Sequence, residues 1–216
     1  MSYRPVVAAA LSGASLGQLS YWRSSRSSEA PLLAPAFHVP RARVAYSYRD
    51  VVALRTFVYL RSQNVSLQRV RRAVRSLREL GELDHLSSYR LVATGRDVVW
   101  QVSDELAIDL TREPGQQVIA EMVDILAAFR GPRPDARELV PLHSPAQGLE
   151  IDPDVRGGYP VIEGTRVPYD MVASLLDDGV LAEDVAQFYP SVSAAAAFGA
   201  VAFARYVDGY RTKIPA

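Results

Sequence analysis

Arginine is the side chain with the most evident chemical use in this sequence of 216 residues. Between Leu67 and Leu80, apolar side chains recur at three- and four-residue steps. On a helix this spacing buries one side and leaves the other side to the remaining residues, which are mainly Arg69, Arg71, Arg72, Arg75 and Arg78. A cationic helix face can bind the phosphates of a nucleic acid, although an ordinary solvated face has the same pattern.

The basic residues are concentrated in the first half of the chain. Residues 1–100 contain 15 arginines and six carboxylates, whereas residues 101–216 contain nine basic and 18 acidic residues. The net charge of zero therefore hides two halves of opposite sign. This distribution predicts a first domain that binds a polyanion and an acidic second domain, with docking of the two halves onto each other as the alternative.

Catalytic and metal chemistry have little support in the sequence. There is no cysteine, and the three histidines are far apart and not in metal-ligand spacing. No nucleophile with a base, carboxylate dyad or phosphate-binding loop stands out. We therefore expect no enzyme activity, no metal and no cofactor. With neither a basic leader nor a long apolar run, we expect a cytoplasmic protein.

The first half is predicted to begin with a helix-turn-helix. Val6 to Leu11 forms a short apolar helix, Ser12-Gly13-Ala14 forms the turn, and Ser15 caps a second helix with the sequence LGQLSYWRSS. Three prolines between Ala30 and Arg43 predict a loop or short hairpin after it.

Two longer amphipathic helices are predicted next, between Ser47 and Gly81. Ser47 and Asp50 form a capping box at the first of them. Ser66 caps the second helix, where Val65 and Val70 form a hydrophobic staple.

The order of these features from Tyr3 to Gly81 resembles the MerR-like winged helix-turn-helix family. The match includes the Ser-Gly-Ala-Ser turn, the Tyr21-Trp22 pair and the NVSLQRVRRAV stretch. The family places its second helix in the DNA major groove and its wing on the backbone, usually as a dimer on an inverted repeat. Ser20 stands where relatives commonly have a phosphate-binding arginine, so Arg23 or Arg26 is expected to replace that contact. The resemblance implies DNA contacts from Ser15, Gln18, Ser20, Tyr21, Arg23, Arg41 and Arg43.

The middle of the chain is predicted to contain strands, a helix and a linker. SYRLVATGRDVVWQV has two β-rich runs around a glycine-containing turn, and Leu106 to Leu110 adds a third short strand. Gln116 to Arg130 has the periodicity of a widely apolar helix, which either joins a core or mediates dimerisation. The prolines of residues 131–148 indicate a linker.

The last segment is predicted to be a β-hairpin followed by a three-helix bundle. Tyr159 to Ile162 and Arg166 to Tyr169 flank the turn at Glu163-Gly164-Thr165, and helices follow over 170–179, 181–189 and 193–210. The predicted fold class is therefore mainly α (α+β). The predicted domains are a winged helix-turn-helix over 1–83, a hairpin-and-helix region over 84–130, a linker over 131–148, and a partner-binding domain over 149–216.

The final domain resembles a short family defined by a Gly-x-Pro-x-Ile-x-Gly-Thr-Arg hairpin and three helices. The motif is present from Gly158 to Arg166. Such domains often belong to antitoxins encoded beside a PIN-like ribonuclease, so the whole chain resembles a VapB-type antitoxin that neutralises this toxin and represses its own operon. A MerR-like regulator with a ligand- or protein-sensing second domain is the alternative. The resemblance implies partner contacts from Arg156, Tyr159, Gly164, Thr165 and Arg166, with Arg166 or Arg156 either reaching the acidic nuclease pocket or only shaping the hairpin.

Overall fold

The computed structural model is mostly helical, with three small antiparallel sheets, as the sequence predicts. It describes the chain over 2–24, 30–37, 44–79, 90–94, 97–101, 107–109, 125–132 and 137–211. No helix within these ranges is long and apolar enough to cross a bilayer.

The predicted helix-turn-helix is confirmed as α1 (Pro5–Ser12) and α2 (Leu16–Arg23). Pro5 starts α1, and Gly13 ends it in the left-handed conformation, with φ of 77° and its N–H donating to the Ala9 carbonyl. Only a residue tolerant of positive φ ends a helix this way without strain. The chain after α2 returns through an isolated antiparallel bridge between Phe37 and Ala45.

Helix α3 (Tyr48–Ser62) begins at the predicted capping box. The Asp50 carboxylate accepts hydrogen bonds from the Ser47 N–H and from the Ala36 N–H, at 2.7 and 3.0 Å. This buried side chain therefore holds both the helix start and the preceding loop. The prediction of an amphipathic helix is wrong for α3, because every residue from Asp50 to Leu60 is buried. It is the central helix of the first half, covered on all sides.

Helix α4 (Leu67–Glu79) starts as predicted. The Ser66 hydroxyl accepts from the Arg69 N–H at 3.3 Å, and the staple residues Val65 and Val70 are both buried. Arg72 and Arg75 are exposed on the opposite side of the helix. The amphipathic pattern of α4 is therefore confirmed.

The predicted β-hairpin and third strand are present as β1 (Arg90–Thr94), β2 (Asp97–Gln101) and β3 (Ala107–Asp109). They form one antiparallel sheet in sequence order, with Thr94 opposite Asp97.

The prediction of a helix through Arg130 is wrong. Ile125 and Leu126 are helical, but β4 (Phe129–Arg130) follows and pairs with β5 (Glu138–Leu139). The Leu126 carbonyl accepts from the Leu142 N–H at 2.8 Å instead of continuing the helix. The part of the predicted helix before Ile125 lies outside the described residues.

The C-terminal unit differs from the predicted hairpin and three helices in two respects. Strand β7 (Val161–Ile162) pairs with β6 (Leu149–Glu150), and its predicted partner contributes an isolated bridge from Pro168. Helices α5 (Tyr169–Asp177) and α6 (Ala194–Asp208) are present, but the middle helix is a 3-10 helix over Ala182–Gln187. Such tight helices are usual in short pieces, and Pro190 soon follows this one.

Both halves of the chain share one hydrophobic core. The Tyr206 hydroxyl, from α6, donates to the Ala10 carbonyl of α1 at 3.0 Å, and the Tyr3 hydroxyl donates to the Gly158 carbonyl. Residues 131–148, predicted to be a linker, contribute the buried side chains of Leu139 and Leu142. The described part of this segment is therefore packed into the structure and does not separate two independent bodies.

Candidate nucleic-acid interface

Helix α2 is held from one side and exposed on the other. Leu19 and Trp22 are buried, and the Trp22 ring packs edge-on against Phe57 of α3 with 5.9 Å between ring centroids. Gly17, Ser20 and Tyr21 are exposed on the remaining surface. The short helix thus presents small and polar side chains to solvent on a rigid support, as a groove-reading helix must.

Ser15 and Gln18 form a reciprocal capping box at the start of α2. The Ser15 hydroxyl accepts from the Gln18 N–H at 3.1 Å, and the Gln18 side-chain carbonyl accepts from the Ser15 N–H at 2.8 Å. The cap therefore occupies one polar end of the Gln18 amide. The Nε2 group at the other end of the amide retains the donors that could reach an acceptor on DNA.

The cationic helix α4 lies beside α2. The Arg71 guanidinium is 5.2 Å from the centre of the Tyr21 ring, a cation–π contact that joins the two helices at the surface. Arg23 is half-buried close to Tyr46. Burial raises the pKa of the Tyr46 hydroxyl, and the neighbouring Arg23 charge opposes that rise. The predicted wing residues Arg41 and Arg43 lie outside the described residues.

Arg55 is a buried cation that the sequence analysis did not identify. Its side chain is fully buried on α3 and donates to four backbone carbonyls at 2.5 to 2.8 Å, those of Leu11, Ile125, Ala127 and Val140. The guanidinium also lies 5.1 Å from the centre of the Phe129 ring. Arg55 therefore connects the end of α1 to the segments around β4 and β5.

Arg55 retains its charge in this environment. Burial lowers the pKa of its guanidinium to about 10, which is still well above neutral pH. The Leu11 carbonyl belongs to the last turn of α1, where the helix dipole is negative and attracts a cation. A signal was available in the sequence: Val51, Val52 and Val58 surround Arg55 at helical spacing, which leaves no polar face for it.

The Gly-Thr-Arg turn projects from the C-terminal unit. Gly164 has φ of 71°, and its N–H donates to the Glu150 carboxylate at 3.0 Å. The Thr165 hydroxyl donates to the Ile162 carbonyl and accepts from the Val167 N–H, at 2.8 and 3.0 Å. Arg166 is exposed. The glycine and threonine thus shape the turn, and the arginine is presented to solvent.

Two other predicted partner-binding residues lie apart from this exposed turn. Tyr159 is buried, and its hydroxyl donates to the Asp170 carboxylate at 2.8 Å. Its ring packs between Tyr3 and Tyr169, with centroid distances of 5.9 and 6.0 Å. Arg156 is half-buried and has a positive φ of 50°. Of the predicted partner-binding set, Gly164 and Arg166 are the exposed members.

Among the described residues, no group of three or more histidine, aspartate or glutamate side chains is placed to hold an ion.

Comparisons with known proteins give matches both in sequence and in fold. The family described as "Protein of unknown function (DUF433)" matches residues 149–204, the C-terminal unit. The uncharacterized HTH-type transcriptional regulators Rv1830 of Mycobacterium tuberculosis and Mb1861 of Mycobacterium bovis are each 30% identical over 148 residues, which cover 65% of this chain. The match spans 64% of the length of these relatives.

A solved structure has the same overall fold. The crystal structure of Rv2018 from Mycobacterium tuberculosis superposes with a TM-score of 0.55, covering 92% of this chain and 96% of that one, at 15% sequence identity. The chain is thus similar in sequence to helix-turn-helix regulators and in fold to Rv2018 along almost its whole length.

Proposed function

We propose that this protein is a transcription regulator that binds duplex operator DNA through α2. The observation that carries the proposal is the exposed surface of α2 from Gly17 to Tyr21, which is supported by a buried Trp22 and flanked by Arg71 of α4. The names of the mycobacterial relatives support the same function. A dimer on an inverted repeat, with Arg41 and Arg43 on the DNA backbone, completes the proposal.

The capping box restricts what Gln18 can read. A bidentate contact with adenine uses both the carbonyl and the amino group of glutamine. Because the Gln18 carbonyl accepts from the Ser15 N–H in the cap, we propose that Gln18 contacts a base through its Nε2 donors. The matching acceptors are N7 of guanine or adenine, guanine O6 and thymine O4. Ser20, Tyr21 and Arg23 then supply the neighbouring contacts.

We expect Gln18→Glu to separate the DNA contact from the cap. A glutamate at this position keeps the capping box, so the melting temperature stays near that of the wild type. It removes the donor and adds a negative charge, so discrimination at one base pair falls by about 1 to 3 kcal/mol. Gln18→Ala loses both the contact and the cap. Fluorescence anisotropy with promoter and single-mismatch duplexes measures the effect.

Arg71→Ala is the matched control for this experiment. Arg71 is proposed to interact with phosphate, so its loss weakens binding to promoter and random duplexes by the same factor. If Gln18→Glu also weakened both duplexes equally, α2 would not be the helix that reads the sequence.

We further propose that the protein is the antitoxin of a type II system, with a PIN-like ribonuclease as its partner. The motif from Gly158 to Arg166, the acidic second half and the exposure of Arg166 support this role. A cation such as Arg166 can enter an acidic metal pocket by charge-assisted hydrogen bonds. A regulator whose C-terminal unit senses a ligand or another protein is the second candidate.

Co-expression with the protein encoded by the neighbouring gene tests the antitoxin role. The expected result is a stable complex in which the ribonuclease activity of the partner is suppressed. Arg166→Ala should restore that activity without lowering the melting temperature, because Arg166 is exposed. A neighbouring protein without ribonuclease activity, or one that the full-length chain does not inhibit, would contradict the antitoxin role.

A further inference from the structure

Large apolar side chains are unusually exposed on the helices of the C-terminal unit. Met171, Leu181, Phe188 and Phe198 have 50, 65, 55 and 59% of their surface accessible, and we refer to these four residues as the apolar surface. They lie in or beside α5, the 3-10 helix and α6, which pack against one another. Exposed apolar side chains grouped on one unit mark interaction sites more often than single ones do.

One contact joins two of the elements that carry the apolar surface. The Tyr189 hydroxyl lies 4.0 Å from the Met171 sulfur, which brings the end of the 3-10 helix against the start of α5. Phe188 precedes Tyr189 and is itself exposed. Methionine and aromatic side chains are enriched at protein interfaces, because aromatic rings bury much area and methionine adapts its shape to the partner.

The stretch that carries the apolar surface is mainly acidic, and the exposed Arg205 lies two turns after Phe198 on the same helix. Residues 167–204 contain five carboxylates and no arginine or lysine. Asp177, Asp178 and Glu183 are exposed next to the ends of α5 and the 3-10 helix. A partner that covers the apolar side chains must therefore place its own charges opposite these carboxylates.

A second copy of the chain is a poor occupant for this surface. In a two-fold symmetric dimer the same surface faces itself, so ten carboxylates would be brought together with no base from this stretch to pair them. A head-to-tail arrangement that pairs the acidic half of one copy with the basic half of the next does not generally close. An anionic lipid surface would be repelled by the same carboxylates. The complementary occupant is a different protein with an apolar surface surrounded by lysine or arginine.

We propose that the apolar surface is the main docking site for the protein partner, and that this partner carries an apolar patch ringed by basic residues. The inference rests on the proposed antitoxin function and adds to it. The affinity comes from the apolar surface, whereas Arg166, on a separate turn, supplies the inhibition. Because the two sites need opposite charges on the partner, they address different regions of it.

The test uses the full-length chain with the protein encoded by the neighbouring gene, and compares Phe188→Ser with Phe37→Ser. Phe37 is a matched control, since it is 49% exposed and lies in the first half of the chain. Dissociation constants by isothermal calorimetry should rise at least about tenfold for Phe188→Ser, which is the loss of an interface hot spot. Phe37→Ser should bind as the wild type does. Thermal melts of both variants verify that the fold is intact.

The possible results distinguish this inference from the proposed function. A complex that binds with wild-type affinity after Phe188→Ser and after Met171→Ser overturns the docking site while leaving the antitoxin role intact. Absence of any complex with the wild-type chain overturns the antitoxin role and, with it, the named occupant. Loss of affinity in Arg166→Ala equal to that in Phe188→Ser would overturn the division between docking and inhibition.

Discussion

Replacing Arg55 with methionine lowers the free energy of unfolding by about 3 to 5 kcal/mol. Methionine fills much of the same volume but donates no hydrogen bond. The four carbonyls that Arg55 now satisfies then lose their shared donor, and each buried acceptor without a partner costs about 1 to 3 kcal/mol. The substitution also removes a buried charge. The desolvation free energy of that charge is then no longer lost on folding, which offsets part of the cost.

Arg49→Met is the matched control for Arg55, because it removes an exposed arginine from the first turn of the same helix. We expect it to change stability by less than about 0.5 kcal/mol. Arg55→Lys retains the charge with a different donor geometry and should fall between the two. Urea denaturation of the three variants measures the differences. Equal stability of Arg55→Met and Arg49→Met would show that Arg55 does not hold the two halves together.

Gly199→Ala lowers stability by about 2 to 3 kcal/mol, although alanine is normally the better helix residue. A Cβ on Gly199 would lie 1.9 Å from the Gln147 carbonyl oxygen and 3.0 Å from the Gln147 carbonyl carbon, both backbone atoms. Because the backbone cannot rotate away as a side chain does, α6 must separate from the segment before β6. At Gly199 the absence of a side chain therefore permits the close approach of a loop.

Ala202 is the control position for Gly199, since it is exposed on the same helix. Ala202→Gly should cost about 1 kcal/mol through helix propensity alone, and the reverse change at Gly199 should cost more. Thermal and urea denaturation measure both variants. A stabilised Gly199→Ala would mean that α6 has room to move away from Gln147.

Local signals predicted the helix starts well. Serine at positions 15, 47 and 66 was expected to cap a helix, and each hydroxyl accepts a backbone N–H there. These interactions span three residues, so the sequence contains all the atoms involved. The pairing of β1 with β2, which begins with Thr94 opposite Asp97, is local in the same sense.

Features that depend on distant partners were not predictable in the same way. The helix expected through Arg130 ends early, where the carbonyls of Ile125 and Ala127 accept from Arg55, some 70 residues away in the chain. The segment predicted as a linker is buried at Leu139 and Leu142 for a related reason, because its packing partners, such as Gly13 beside Leu139, lie far away in the chain. Prolines indicate irregular backbone and do not reveal whether it is packed.

In the candidate site, too, local features could be predicted from the sequence, whereas features that depend on distant residues could not. The exposure of Tyr21 and the burial of Trp22 follow from helical periodicity, which the sequence displays. The buried Tyr159 was expected to contact a partner because it belongs to the hairpin motif, and its packing between Tyr3 and Tyr169 needed the full fold. The apolar surface was also missed, since exposure of a single phenylalanine leaves no trace in a sequence pattern.

The central claim is that the first half of the chain binds duplex DNA by its arginines and reads sequence with α2. The most direct measurement is a titration of the full-length protein with its own promoter duplex and with a shuffled duplex, at salt concentrations between about 50 and 200 mM. We expect tighter binding to the promoter at every salt concentration. We also expect a linear fall of log K with log salt concentration, amounting to about a thousandfold loss if six phosphates are contacted. Equal affinity for the two duplexes, or affinity that does not change with salt, would contradict the claim.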